Sequence, residues 1–244
     1  MNPARLTLAA LALVCAACAP AAQTASPSAM DTPTPRPAAT ADSTLPPPTL
    51  TSTPAPAARL FTENFDSTPA NWVSFQTSGA GLDLQVQDGF LLFNLRGPNN
   101  WAYAIYSGQD YAEVRLEAAL ENRAAEDSAL GLICHYGEGQ GWYEFNVYAD
   151  RTYMLLYGEW LGEGSARYTP LYRGFSEKIQ AGGSNQLGLL CQGRTLTPFV
   201  NGVQLRKWDE KQFGLVSGRI GIAAASFEAV PVVAAIDWLT VGEP

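Results

Sequence analysis

From Leu60 onward the chain is a succession of short runs in which apolar and polar residues alternate, separated by turns rich in Gly, Asn and Asp. Leu82-Asp-Leu-Gln-Val-Gln87 alternates at every position, Asp88-Gly89 follows, and residues 90–95 form a return run. Alternation on both sides of a two-residue turn that accepts positive φ predicts a β-hairpin. Asn201-Gly202, between runs 196–200 and 203–206, predicts a second hairpin with a type I′ turn. Further strands are predicted over 101–107, 111–120, 129–136, 142–148, 152–157, 218–225 and 232–241. Residues 118–127 contain helix formers, but 112–120 alternates better as a strand. About twelve to fourteen short strands with no convincing helix imply an all-β fold, a two-sheet antiparallel jelly-roll sandwich.

The first quarter of the chain cannot join that fold. Every aromatic residue lies at or after Phe61, and residues 19–58 are mostly Pro, Thr, Ala and Ser. Such a tract has too little apolar surface to form a core, so a disordered, partly polyproline II tether is expected. Fully extended at ~3.1 Å per residue, it would reach on the order of 120 Å. Before it, Arg5 precedes a nine-residue apolar run from Leu6 to Val14, interrupted only by Thr7. That is short of the ~20 residues a membrane span needs but suits a signal-peptide core. The run leads into Cys15-Ala16-Ala17-Cys18, which resembles a bacterial lipobox. In that motif, small residues precede a cysteine that receives a diacylglycerol. Cys18 is the better acceptor, since Cys15 follows the bulky Leu13 and Val14. The expected organisation is a lipoprotein signal peptide over 1–17, a tether over 18–58 and a sandwich domain over 59–244. The partner of the N-terminus would be a membrane, with the chain exported to the exterior or periplasm.

Fifteen Lys and Arg face 23 Asp and Glu, for a net charge of −8, and no basic run exists. Nucleic acid is therefore not expected as a partner. His135 is the single histidine, which excludes a His-rich zinc centre.

Strand alternation also assigns faces. Leu130, Leu132 and Cys134 share one face of their strand, and Leu187, Leu189 and Cys191 share one face of another. Both cysteines thus point into the core, and an exported protein permits a disulfide between them. It would close a loop of about 57 positions, stabilising the fold by on the order of 4 kcal/mol. By the same rule, Tyr143, Phe145 and Val147 read as core, so Trp142, Glu144, Asn146 and Tyr148 point outward together. His135 and Arg115 are also read as outward.

The order Gly131-Leu-Ile-Cys134, Trp142-Tyr-Glu-Phe-Asn-Val147, Asn185-Gln-Leu-Gly-Leu-Leu-Cys191, Phe199-Val-Asn-Gly202, Gly218-Arg-Ile-Gly221 and Ile236-Asp237 resembles concanavalin A-like lectin and glucanase sandwiches. The laminin-G-like and keto-disaccharide hydrolase-like domains of bacterial exported proteins are the nearest in pattern. The resemblance implies a concave groove on the outer face of one sheet. Arg115, His135, Trp142, Glu144 and Asn146 would then be its ligand-binding candidates, with a glycan as ligand. It also implies a structural Ca²⁺ where first and last strands meet, for which Glu63, Asp66 and Asp237 are the candidate ligands. Retaining glucanases of this fold resemble one another in a Glu-x-Asp-x-x-Glu strand. No Glu in this chain has an Asp two residues later, so that chemistry is not expected. Three functions fit: non-catalytic carbohydrate recognition, a glycoside-acting hydrolase with another carboxylate pair such as Glu117 with Glu144, or a protein-interaction module. A large ring such as Trp142 must be covered by something. A sugar face would cover it in the first reading, and residues 158–164 with Trp160 in a purely structural one.

Overall fold

The computed structural model describes residues 59–77, 81–123, 127–162 and 164–244. The expected signal peptide, the acceptor Cys18 and the whole tether over 18–58 lie outside the described residues. Among the described residues there are sixteen strands and no helix. In chain order they are β1 (Phe61–Glu63), β2 (Trp72–Gln76), β3 (Leu82–Gln87), β4 (Phe90–Leu95), β5 (Asn100–Tyr111), β6 (Glu113–Asn122), β7 (Ser128–Gly137) and β8 (Gly141–Tyr148). They continue with β9 (Thr152–Gly162), β10 (Ser165–Phe175), β11 (Ser184–Gln192), β12 (Thr195–Val200), β13 (Val203–Gln204), β14 (Trp208–Asp209), β15 (Gly218–Ser226) and β16 (Val232–Gly242).

The strands form two antiparallel sheets. One has the order β13-β12-β11-β6-β16-β4-β3, with β1 also paired to β16 and β14 to β12. The other has the order β10-β9-β8-β7-β15-β5-β2. Both predicted hairpin turns form. Asp88 and Gly89 have φ of 53° and 77°, and Asn201 and Gly202 have φ of 49° and 77°. Positive φ at both central positions is the type I′ signature.

Two strands differ from the sequence expectation for physical reasons. β9 continues to Gly162, so Trp160 sits on a strand and not in a loop. β10 carries no simple alternation because Pro170 and a register shift between Pro170 and Tyr172 interrupt it. It survives as an edge strand, where a missing backbone N–H costs no ladder bond.

The main core lies between the sheets. Val114, Leu116, Ala118 and Leu120 of β6, with Leu187, Leu189 and Cys191 of β11, face Leu130, Leu132 and Cys134 of β7 and Tyr143, Phe145 and Val147 of β8. The Cys134–Cys191 disulfide forms across this core, joining β7 of one sheet to β11 of the other, with Cα atoms 6.7 Å apart. A polar staple closes one end. The carboxylate of Glu210, 2% exposed, accepts the hydroxyl of Tyr143 at 2.7 Å and the backbone N–H groups of Gln212, Phe213 and Gly214. Burial pushes this carboxyl up, but the Tyr143 and backbone hydrogen bonds outweigh it and hold it at about 2.

The inter-sheet disulfide generates a test. A Cys134→Ala/Cys191→Ala double variant should unfold at lower urea, having lost about 4 kcal/mol, with a steeper slope because the unfolded chain is released from its cross-link. An unchanged midpoint would mean that the bond does not constrain the unfolded chain.

Candidate functional site

The alternation on β8 is as the sequence predicts. Tyr143, Phe145 and Val147 enter the main core, and Trp142, Glu144 and Asn146 lie on the opposite face. Their exposure is the surprise. Trp142, Glu144 and Asn146 are each 0% exposed. The outer face of the seven-stranded sheet carries a second hydrophobic cluster built around Tyr103, Ile105, Ile133, Tyr136 and Trp142. Phe75, Trp101, Trp160 and Tyr168 pack against it.

The cover comes from strands far apart in the sheet. Trp160 of β9 stands 5.2 Å from Trp142 and 5.0 Å from Phe75 of β2, measured between ring centroids. Trp101 of β5 stacks on Tyr168 of β10 at 4.6 Å, and the hydroxyls of Tyr103 and Tyr168 lie 2.5 Å apart. The sheet therefore curls until rings near its two ends meet over its middle. Gly158 is needed here, since a Cβ would stand 2.4 Å from the Trp142 ring. Gly131 admits the Asn146 amide in the same way, at 1.9 Å.

Glu144 sits under this cover. It accepts Trp142 Nε1–H at 2.9 Å and Asn146 Nδ2–H at 2.7 Å. Burial raises its carboxyl to about 7, against the lowering effect of those two hydrogen bonds. Asn146 Oδ1 is buried with no hydrogen-bond partner. A half-turn of that amide would set Oδ1 against Glu144 and give a protonated carboxyl an acceptor. Neither hydrogen-bond partner of Glu144 is a second carboxylate.

The other sequence candidates lie elsewhere. His135 does not share the outer face. A register shift between Cys134 and Gly137, with φ of 53° at His135, turns its ring aside. Its Nε2 lies 3.2 Å from the Ala112 carbonyl, and its ring sits edge-on to core Tyr143. Tyr136 takes the outward place instead. Burial lowers the His135 pKa. Arg115 is on β6 of the other sheet, bonded to Glu117 at 2.7 Å and 4.5 Å over the Phe199 ring. Glu117 and Glu144 thus occupy opposite outer faces of the sandwich. Glu63 and Asp237 are on the paired strands β1 and β16, and Asp66 follows β1. Glu63 accepts the Phe65 N–H at 3.1 Å. Among the described residues, no three His, Cys, Asp or Glu side chains converge as a metal site.

The outer face reopens at the far end of β8. Tyr148 is the only residue of β8 that is not buried. Beside it lies a groove of about 470 Å³ walled by Asn99, Asp127, Asp150, Thr152, Arg173, Phe227 and Glu228, so three carboxylates border it. Tyr148 and Phe227 stack at 6.1 Å, and Arg173 stands 3.7 Å from Asp150. Tyr148 was legible as the next member of the 142, 144, 146 series. The others come from five stretches of the chain and leave no local pattern in the sequence.

No protein-family model and no curated protein matches the chain. Solved structures do match in fold. A prokaryotic β-1,3-1,4-glucanase (lichenase) derived from a mouse hindgut metagenome aligns over 77% of this chain and all of its own length, with 11% identity and a TM-score of 0.57. A Bacillus licheniformis β-glucanase aligns over 77% of this chain and 99% of its own, with 13% identity and a TM-score of 0.53. A carbohydrate-binding module from Bacillus subtilis aligns over 68% of this chain and 92% of its own, with 12% identity and a TM-score of 0.50.

The buried carboxyl gives two tests. Trp142→Ala should cost about 3–5 kcal/mol, read as a drop in melting temperature, because it removes the centre of a buried ring cluster. Glu144 titrates at an ordinary 4.5 when unfolded and at about 7 when folded. The folded state therefore holds the extra proton between those values. Its contribution is most favourable below about pH 4.5 and is lost as pH rises through 7, by up to about 3 kcal/mol. Glu144→Gln should remove that loss, so melting temperatures at pH 5 and pH 8 should converge relative to wild type. An unchanged pH profile in the variant would show that Glu144 ionises normally. With both sheets, their order and these structural likenesses in view, the domain is a jelly-roll sandwich of the concanavalin A-like fold.

Proposed function

We propose that the chain is an exported, lipid-anchored module that recognises carbohydrate without cleaving it. The observation that carries this reading is the groove at the end of β8. There the rings of Tyr148 and Phe227 stand beside the amide of Asn99 and the charged pair Arg173 and Asp150. Rings can cover the apolar face of a sugar, and amide, guanidinium and carboxylate groups can bind its hydroxyls. The neighbours in fold support a glycan ligand, since they are named as glucanases and as a carbohydrate-binding module. Anchoring rests on the Ala16-Ala17-Cys18 sequence.

The non-catalytic part rests on the pair Glu144 and Glu117. Glycoside hydrolysis with two carboxylates needs both within about 5–9.5 Å across a bound sugar. Glu144 is sealed from solvent, and Glu117 lies on the opposite face of the sandwich. One observation favours the alternative, a glycoside-acting hydrolase. A carboxyl at about 7 has the protonation state a general acid requires. That reading requires the ring cover to open.

The full chain is to be screened on a glycan array and titrated by calorimetry with β-glucan oligosaccharides. Binding should appear, Tyr148→Ala should weaken it by roughly 10-fold or more, consistent with about 1.5–3 kcal/mol for a buried ring, and no new reducing ends should form. Reducing-end release that disappears in Glu144→Gln would favour the hydrolase instead. For the anchor, metabolic labelling with a palmitate analogue should tag wild type and spare Cys18→Ser. Equal labelling of the variant would move the acceptor to Cys15.

A further inference from the structure

A second cavity adjoins the groove and shares Tyr148 and Ala149 with it. It measures about 290 Å³ and opens at the end of the sandwich where β6, β7 and β8 meet the loop before β11. Its lining includes Leu130 and Val147, whose side chains belong to the main core between the sheets. The cavity is therefore blind: a chain can enter it but has no way out through the sandwich. Its rim is polar, with Ser128, Gln180 and the Gly182-Gly183 backbone. Among the described residues, no lining residue is charged, in a chain whose net charge is −8.

The loop wall is built before any ligand arrives. The Asn185 amide, 6% exposed, accepts Gln180 N–H at 2.8 Å and donates to the Gln180 carbonyl at 3.0 Å. Asn201 braces the same loop, donating to the Lys178 carbonyl at 2.7 Å and to Asn185 Oδ1 at 3.0 Å. A preformed wall lowers the ordering cost of binding.

Resting on the carbohydrate reading, we infer that this cavity takes the terminal ring of an uncharged glycan chain, with the following rings leaving over Tyr148 into the groove. The volume is at the lower bound for ligand pockets, enough for one ring but not for an oligosaccharide. Leu130 and Val147 offer an apolar floor, and the rim offers amides, a hydroxyl and backbone groups for ring hydroxyls. A uronic acid or an amino sugar would leave its charge unpaired there and be disfavoured. The domain would then read chain ends, not chain interiors.

The test is calorimetry on the full chain with two neutral probes, linear laminarihexaose and a cyclic β-glucan that has no chain end. The linear probe should bind at least tenfold more tightly. Ala181→Trp, a substitution at an exposed position of the loop wall, should weaken it tenfold or more with the melting temperature unchanged. Gln180→Ala should weaken it in the same direction. Methyl β-glucoside should compete with the linear probe. Equal binding of both probes, or linear binding untouched by Ala181→Trp and Gln180→Ala while Tyr148→Ala still weakens it, would overturn chain-end recognition and leave the carbohydrate reading standing. Failure of both probes and of every array glycan to bind would overturn the two together.

Discussion

To bury Trp142, the seven-stranded sheet has to bring rings from four other strands over its own outer face. Antiparallel sheets in sandwiches commonly leave one face to water. Here Tyr103 of β5, Tyr136 of β7, Trp160 of β9 and Tyr168 of β10 all have ring centroids within 6.2 Å of Trp142. The middle of the sheet is therefore dry on both sides. That constraint fixes several neighbours at once. Position 158 must be glycine to admit the indole, and position 131 must be glycine to admit the Asn146 amide. Glu144, caught between them, must take the indole N–H and the amide as its hydrogen-bond donors because no water can reach it.

The same burial separates the site from what the sequence could predict. Period two on β8 correctly divided 142, 144 and 146 from 143, 145 and 147, because alternation is a property of the strand itself. Exposure is not a local property. The rings that cover β8 come from positions as far upstream as Phe75 and as far downstream as Tyr168, and no pattern within β8 announces them. The disulfide was legible for the opposite reason: each cysteine ends a leucine series on its own strand, and both series face the one space between the sheets. The turns at Asp88-Gly89 and Asn201-Gly202 were legible because residue type alone licenses positive φ there. His135 was not, since a single extra residue in β7 reverses its face and hands the outward place to Tyr136. β10 was lost to Pro170, which ends a strand in most settings but is accommodated at a sheet edge.

The closed centre and the open end of the outer face are consequences of one geometry. Rings accumulate where β2 and β9 approach each other, as the Phe75–Trp160 contact marks. The approach does not extend to the end of β8, and Tyr148 is left partly in water there. A ligand of this face accordingly meets Tyr148 and Phe227 before it could meet Trp142 or Glu144. The blind cavity begins at the same residue because Tyr148 ends β8: its preceding neighbour Val147 points into the core and its own ring points outward. One strand end thus borders both an open groove of about 470 Å³ and a smaller cavity of about 290 Å³. A polymer lying across such a junction is bound most extensively when its terminus drops into the hole and its body follows the groove. This is why the physical asymmetry between the two lobes, one open and bearing charge, the other blind and with no charged residue among its described lining, argues for recognition of a chain end.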